Sequence, residues 1–301
     1  MKDSYPGVSL LRFCRLLGVT RQALYQHEWS NEEINIEAEL IVQQVNNIRK
    51  RHPVIGTRKL HFMLQPFLAE HQIKIGRDKL FDVLATHKLL VRRRKRKIYT
   101  TQSYHRFHKY PNLIKEIKVK GINQLWVSDI TYFKTLGKFV YISFITDAYS
   151  HKIVGFQLAR TLETIHSLKA LEMAITGIED CKKHNIIHHS DRGIQYCSEL
   201  YVKLLQDNNI LISMTENGDP LENPIAERAN GIIKDEYLCH YTDKTITEIQ
   251  ERLTQAVALY NNERPHMSCN MHTPEKVHRN KLTIERVWKS YYHSKTQEPV
   301  H

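Results

Sequence analysis

Apolar residues fall into two regimes along the chain. In the first ninety residues they recur with a helical period. Leu10, Phe13, Leu16 and Leu17 share one face, Gly18 stops that helix, and Thr20 caps a second bearing Arg21, Gln22 and Tyr25. Helix, glycine turn, helix is a helix-turn-helix arrangement whose second helix can enter a major groove. From Glu33 to about Val91 a further helical block follows. Ile34, Ala38, Ile41, Val42, Val45 and Ile48 make one face, and Gly56 and Gly76 each open a short helix. Residues 98–120 show no period and read as a linker.

At Gly121 the pattern changes to aromatic and β-branched runs. Strands are predicted over Gln124–Lys134, Phe139–Thr146 and His151–Leu158, then a helix over Thr161–Ile175. A short buried strand at Ile186–His189, a helix at Ser198–Asp207 and a last strand at Ile210–Met214 complete the set. Asn223-Pro224 starts another helix, with Asn as cap and Pro at the first helical position. Three antiparallel strands, a crossover helix and a returning strand make a mixed α/β sheet. The right-handed crossover rule puts the fourth strand beside the first. Later, Thr245-Ile246-Thr247-Glu248 reads as a capping box, ahead of an apolar stripe at Ile246, Ile249, Leu253, Val257 and Tyr260.

Composition narrows the class. A chain of 301 residues sets a prior of about two domains, and 41% hydrophobic with 25% charged residues is ordinary for a globular protein. No apolar run approaches the roughly 18 residues of a membrane span, and the start lacks the apolar stretch of a secretory signal. The five cysteines form no C-x-x-C pair, which argues against a disulfide framework or zinc knuckle and for the cytoplasm. The net charge of +12 is unevenly placed. Residues 1–120 hold 24 Lys and Arg against 10 Asp and Glu, whereas residues 121–301 hold 20 against 22. A basic leader joined to a near-neutral body suits a polyanion grip coupled to a second activity. The densest stretch, Arg92-Arg93-Arg94-Lys95-Arg96-Lys97, is read as a phosphate-contacting strap.

Three acids stand out. Asp129 lies mid-strand on the face of Leu125, Val127, Thr131 and Phe133, where an uncompensated acid is costly. Asp191 follows the fourth strand, which is the first strand's neighbour. Glu227 sits in the first turns of the helix opened by Asn223, with Asn230 and Lys234 along the same face. Singly, Asp191 reads equally well as a cap and Glu227 as a partner of the helix dipole. Together, three hard oxygen donors with no nearby cysteine cluster suit Mg²⁺ or Mn²⁺, and two such ions can support in-line phosphoryl transfer.

The motifs around these acids carry a resemblance. Trp126-x-x-Asp129-Ile130-Thr131-Tyr132, His189-Ser190-Asp191-Arg192-Gly193-x-Gln195-Tyr196 and Asn223-Pro224-x-Ala226-Glu227-Arg228-x-Asn230-Gly231-x-x-Lys234-x-Glu236 occur in that order. Tyr260-Asn261-x-x-Arg264-Pro265-His266 and Thr273-Pro274 close the set, and 35 residues separate Asp191 from Glu227. The pattern resembles bacterial insertion-sequence transposases of the second-reading-frame, DDE type, whose core is similar to retroviral integrases.

The resemblance implies a ribonuclease H-like mixed five-stranded sheet with flanking helices, preceded by the all-α helix-turn-helix region. It implies Asp129, Asp191 and Glu227 as catalytic metal ligands, and strand nicking followed by 3′-hydroxyl strand transfer at the ends of an insertion sequence. Its implied partners are double-stranded DNA, further copies of the chain in a synaptic complex, and a first-frame DNA-binding protein. Asn230, Lys234 and Arg192 would meet DNA, together with Arg21, Gln22 and the 92–97 strap. The expected organisation is a helix-turn-helix segment at 1–30, a basic helical DNA-binding region at 31–97, a linker at 98–120, the core at 121–280 and a tail at 281–301. The loop before the glutamate departs from many relatives by carrying three extra acids, Glu216, Asp219 and Glu222, of which Asp219 and Glu222 are candidates to compete for metal. The zinc domain of retroviral integrases has no counterpart in the spacing, so no zinc is expected. A rival from another class is a catalytically inactive DNA-binding regulator of transposition; a structure-specific nuclease would differ by making no joined products.

Overall fold

The computed structural model describes residues 9–91, 106–115, 117–178, 185–216 and 223–284. The chain divides into two compact units, residues 1–51 with 56–91, and residues 52–55 with 92–301.

In the first unit, α1 (Leu10–Leu16) ends at Gly18, whose φ of +67° is a conformation glycine reaches cheaply. The Thr20 hydroxyl accepts from the Ala23 N–H at 3.1 Å, and α2 (Arg21–Arg51) then runs for 31 residues. The division expected at residue 30 therefore falls inside one helix. No Gly or Pro lies between Gly18 and Pro53, so no residue in that stretch forces the backbone to stop. Helices α3 (Thr57–Glu70) and α4 (Arg77–Thr86) start at Gly56 and Gly76, both in extended conformation. Ile41, Val45, Leu60, Leu64, Leu80 and Leu84 are buried where α2, α3 and α4 pack together.

The second unit is built on a five-stranded mixed sheet in the order β3-β2-β1-β4-β5, flanked by helices as expected. Strands β1 (Leu125–Thr135), β2 (Lys138–Asp147) and β3 (Ile153–Ala159) are antiparallel. β4 (Ile187–Ser190) and β5 (Leu211–Met214) add in parallel beyond β1, the adjacency that the crossover rule predicts. Side chains alternate between two covered faces. On one, Trp126 and Ile145 meet α5 (Thr164–Thr176) and α7 (Glu199–Asp207) through Leu168, Leu171, Tyr201 and Leu205. The short α6 (Ile194–Cys197) lies just before α7. On the other face, Phe133, Ile142 and Phe144 meet α9 (Ile246–Asn262) through Ile249, Leu253 and Val257. Gly155 lets α5 approach β3 closely, since a Cβ there would fall 2.1 Å from the Ala170 carbonyl oxygen.

α8 (Pro224–Ile232) passes directly into a π-helical turn, Ile233–Leu238. Thr245 and Glu248 form the expected capping box at α9, and α10 (Pro274–Asn280) follows a 3₁₀ turn at Met267–Cys269. The segment read as a linker is partly docked. The Met214 N–H donates to the Pro111 carbonyl, and the Leu113 N–H to Ser213 Oγ at 2.9 Å, which covers the outer edge of β5. Among the described residues no helix is long and apolar enough to cross a membrane.

Candidate active site

Strand pairing brings two of the acids together. Trp126 pairs with His188 and Val127 with His189. Continuing that register by two residues sets Asp191 opposite Asp129. The Asp191 carboxylate also accepts the Gly193 N–H at 2.9 Å, which fixes it at the end of β4.

The third acid arrives on α8, which two asparagines fasten to β1. The Asn223 amide donates to the Ser128 carbonyl at 2.9 Å, and the Asn230 amide donates to Asp129 Oδ2 at 2.7 Å. Both are buried on the same side of the helix, seven residues from each other, and Ala226 on that side packs with Leu125 and Val127. Small side chains let the helix lie close to the strand. Glu227, next to Ala226, is exposed at the rim.

The electrostatics record the convergence. The Asp129 carboxyl is pushed up to about 7, first by burial and then by the charges of Asp191 and Glu227; the Ile130 N–H and the Asn230 amide oppose the rise. A carboxyl whose folded pKa exceeds its unfolded value contributes a stability that is lost as pH rises through the window from about 4 to about 7. Asp129→Asn is therefore expected to stabilise the metal-free chain at neutral pH. A rise of this size corresponds to at most about 4 kcal/mol, and the partial solvent access of the carboxyl reduces the expected gain to about 2 kcal/mol. Thermal unfolding in a chelator at pH 5 and pH 8 checks this: the gap between variant and parent should widen at pH 8. An equal gap at both values would contradict the assignment.

Other residues take positions that differ from the sequence expectations. Asn223 makes no side-chain cap on α8; its amide tethers the helix to β1 instead. Asn230, expected along the DNA, is 3% exposed and turned inward onto Asp129. The signal for both lay in their spacing on one helical face with Ala226, but the same spacing also suits an outward-facing row. Lys234 is half-buried, its ammonium 5.2 Å from the centre of the Tyr132 ring, and burial holds its pKa below the usual lysine range. His189 is buried with Nδ1 2.8 Å from Ser213 Oγ, bracing β4 against β5. Arg192 is partly buried beside Asp191 in the chain, and Arg21 and Gln22 are exposed in the first turn of α2. Arg264, of the closing motif, is 1% exposed and grips Glu236 with two hydrogen bonds of 2.6 and 2.7 Å. Glu216 pairs with Lys115 at 2.5 Å. The strap Arg92, Arg93, Arg94, Lys95, Arg96 and Lys97, together with Asp219, Glu222 and residues 285–301 of the tail, lies outside the described residues.

Comparison with known proteins places this arrangement. Two integrase core domain models match, over residues 120–220 and 208–274. The 31 kDa protein of insertion element IS600 from Shigella sonnei is 32% identical over 277 residues, 88% of this chain and 98% of that protein. The transposase for insertion sequence element IS629 from Shigella sonnei is 31% identical, covering 71% of this chain and 70% of that one. Among solved structures, the HTLV-2 integrase catalytic core domain is similar at 17% identity and a TM-score of 0.42, covering 52% of this chain and 96% of that one. The matched models together span more than half of the chain, and the first relative is matched along nearly its whole length. The chain belongs to the bacterial insertion-sequence transposases that carry an integrase core domain.

Proposed function

We propose that this chain nicks DNA at the ends of an insertion sequence and transfers the freed 3′-hydroxyl to a second phosphodiester. The observation that carries the reading is that the β1–β4 register sets Asp191 opposite Asp129 while two asparagines fasten the helix of Glu227 to the same strand. Three like charges held together by two tethered asparagines and a strand register form an arrangement that a divalent cation would stabilise. The donor set fits: all three are carboxylates, the hard oxygen ligands suited to Mg²⁺ or Mn²⁺. Asp129, Asp191 and Glu227 would hold the metal, in a pair of ions, which when bound activates the attacking oxygen and stabilises the leaving one.

The chain's own residues do the positioning. Asn230 orients Asp129, the Gly193 N–H orients Asp191, and the tether from Asn223 to Ser128 sets the angle at which α8 delivers Glu227. Arg192 and Lys234 are proposed to meet the phosphates near the acids. Arg21, Gln22 and the 92–97 strap would hold the flanking duplex with an affinity that falls steeply with salt. We also propose the functional division into a DNA-gripping leader up to residue 97, a core at 121–280 and a tail beyond it. The setting would be the cytoplasm, with two or more copies holding two DNA ends and a first-frame DNA-binding protein as partner.

The test is to incubate the full chain with labelled DNA carrying the element's terminal repeats, in Mg²⁺, in Mn²⁺ and in a chelator, with and without the first-frame protein. Nicked and joined products that depend on the metal are expected. Binding without any product in either metal would favour the inactive regulator instead, and nicks without joined products would favour a nuclease.

A further inference from the structure

A second cluster of ligating side chains lies away from the three acids, where the turn after β2 meets the corner after α9. His151, His266 and Cys269 each present one ligand atom, and the three atoms lie within 4.8 Å of one another. The two imidazoles are stacked, with centroids 4.5 Å apart and planes 13° apart. His266 is 6% exposed and Cys269 fully buried, while His151 keeps some solvent access.

The backbone around the cluster is held in uncommon conformations. His151 has a φ of +59°, which costs a branched-free but bulky residue about 1 kcal/mol or more. Hydrogen bonds fix it there: its N–H donates to the Asp147 carbonyl at 2.9 Å, and its carbonyl accepts the Tyr260 hydroxyl at 3.0 Å. Across the cluster, Cys269 ends a 3₁₀ turn and is followed by Asn270 and Met271, both left-handed. The His266 carbonyl accepts the N–H groups of Cys269 and Met271 at 2.9 and 3.0 Å. The backbone on both sides is thus fixed, and only side chains need move to admit a ligand.

The geometry points to a site for a borderline-soft divalent metal, Zn²⁺ in the reduced cell interior, coordinated by His151, His266 and Cys269. Two imidazoles and a thiol form a donor set that selects such an ion over Mg²⁺, so the site is chemically distinct from the three carboxylates. Tetrahedral zinc, with bonds of about 2.0–2.3 Å, needs its ligand atoms about 3.5 Å apart and the ion in the plane of each imidazole, so binding requires the partly exposed His151 ring to swing out of its stack on His266. The solvent-accessible flank of His151 leaves room for water as the fourth ligand.

Neutral imidazoles and a thiolate are the forms that bind metal. The Cys269 thiol is pushed up to about 12 by burial and by Asp147, and it donates to the Ser150 carbonyl at 3.4 Å. Binding therefore exchanges one thiol proton, released to solvent, for a metal–thiolate bond. Asp147 is fully buried and saturated by the Ser150 and Asn123 N–H groups, so it contributes negative potential instead of a ligand atom. The sequence spacing concealed this site because its ligands stand 115 and three residues apart, with no pair of cysteines. Occupied, it would clasp the β2–β3 turn to the corner that carries Arg264.

Cobalt substitution tests the proposal on the full chain. After chelator treatment under reducing conditions, one equivalent of Co²⁺ should give the intense visible bands of tetrahedral cobalt and a thiolate charge-transfer band, both bleached by Zn²⁺. His151→Ala, at the solvent-accessible edge, and Cys269→Ser should each lose the charge-transfer band or weaken cobalt binding by about 100-fold or more. Glu227→Gln should keep the spectrum unchanged. Zinc should also raise the unfolding temperature of the parent chain but not of His151→Ala. An absence of the thiolate band in the parent chain, or its persistence in Cys269→Ser through another cysteine, would overturn the site.

Discussion

Glu227→Gln is expected to bind element-end DNA as the parent chain does and to cut it about 10³-fold more slowly, a loss of about 4 kcal/mol in transition-state stabilisation. The substitution keeps the size and shape of the side chain and removes its charge. Glu227 is exposed in the first turn of α8, so the fold should be unaffected beyond about 0.5 kcal/mol. The asparagine tethers to β1 remain, and Asp129 and Asp191 remain opposite each other. What is lost is one of the three carboxylates that, on the proposed function, would hold the metal. Single-turnover cleavage of labelled end DNA, with binding followed separately by gel shift, measures the split. Cleavage within about tenfold of the parent would remove Glu227 from the proposed ligand set.

The largest stability effect is expected at Arg264→Met. The guanidinium is buried, makes a bidentate pair with Glu236 in the π-helical turn, and lies 5.8 Å from the centre of the Tyr260 ring. Burial alone would pull its pKa down, and the Glu236 carboxylate more than offsets this. Removing the cation strands a carboxylate in a poorly hydrated place, at a cost of about 3–5 kcal/mol. For a unit of about 200 residues that lowers the melting temperature by about 10 °C. Replacing both partners, Arg264→Met with Glu236→Leu, should recover most of the loss, because no charge is then left unpaired. Calorimetry of the parent, both single variants and the double variant closes the cycle. A single-variant cost below about 1 kcal/mol would show that the pair is not the fastening it is taken for.

Much of the second unit was legible because strand periodicity and topology rules act locally. Alternation at Leu125–Phe133 put Asp129 on the correct face, and the crossover rule put β4 beside β1, which together place Asp191. What stayed hidden depended on partners distant in the chain. Asn223 has the residue type and position of a helix cap, yet the Ser128 carbonyl, 95 residues earlier, claims its amide. Asn230 faces inward only because α8 lies across β1. Arg264 and Glu236 stand 28 residues apart in two separate motifs, and only the folded chain pairs them. In the first unit, the long continuous α2 went unread because the polar run Ser30-Asn31-Glu32-Glu33 resembles a break although nothing in it stops a helix. Reading a motif identifies the acids; reading what aims them requires the folded chain.

The order of these parts along the polypeptide sets a schedule. Asp129 and Asp191 leave the ribosome well before Glu227, and Arg264, which fastens the turn following Glu227's helix, emerges last of all. A chain still being translated thus carries an incomplete acidic trio until residue 227 is added, and a fragment that stops before residue 264 lacks either the third acid or the cation that fastens the turn after its helix.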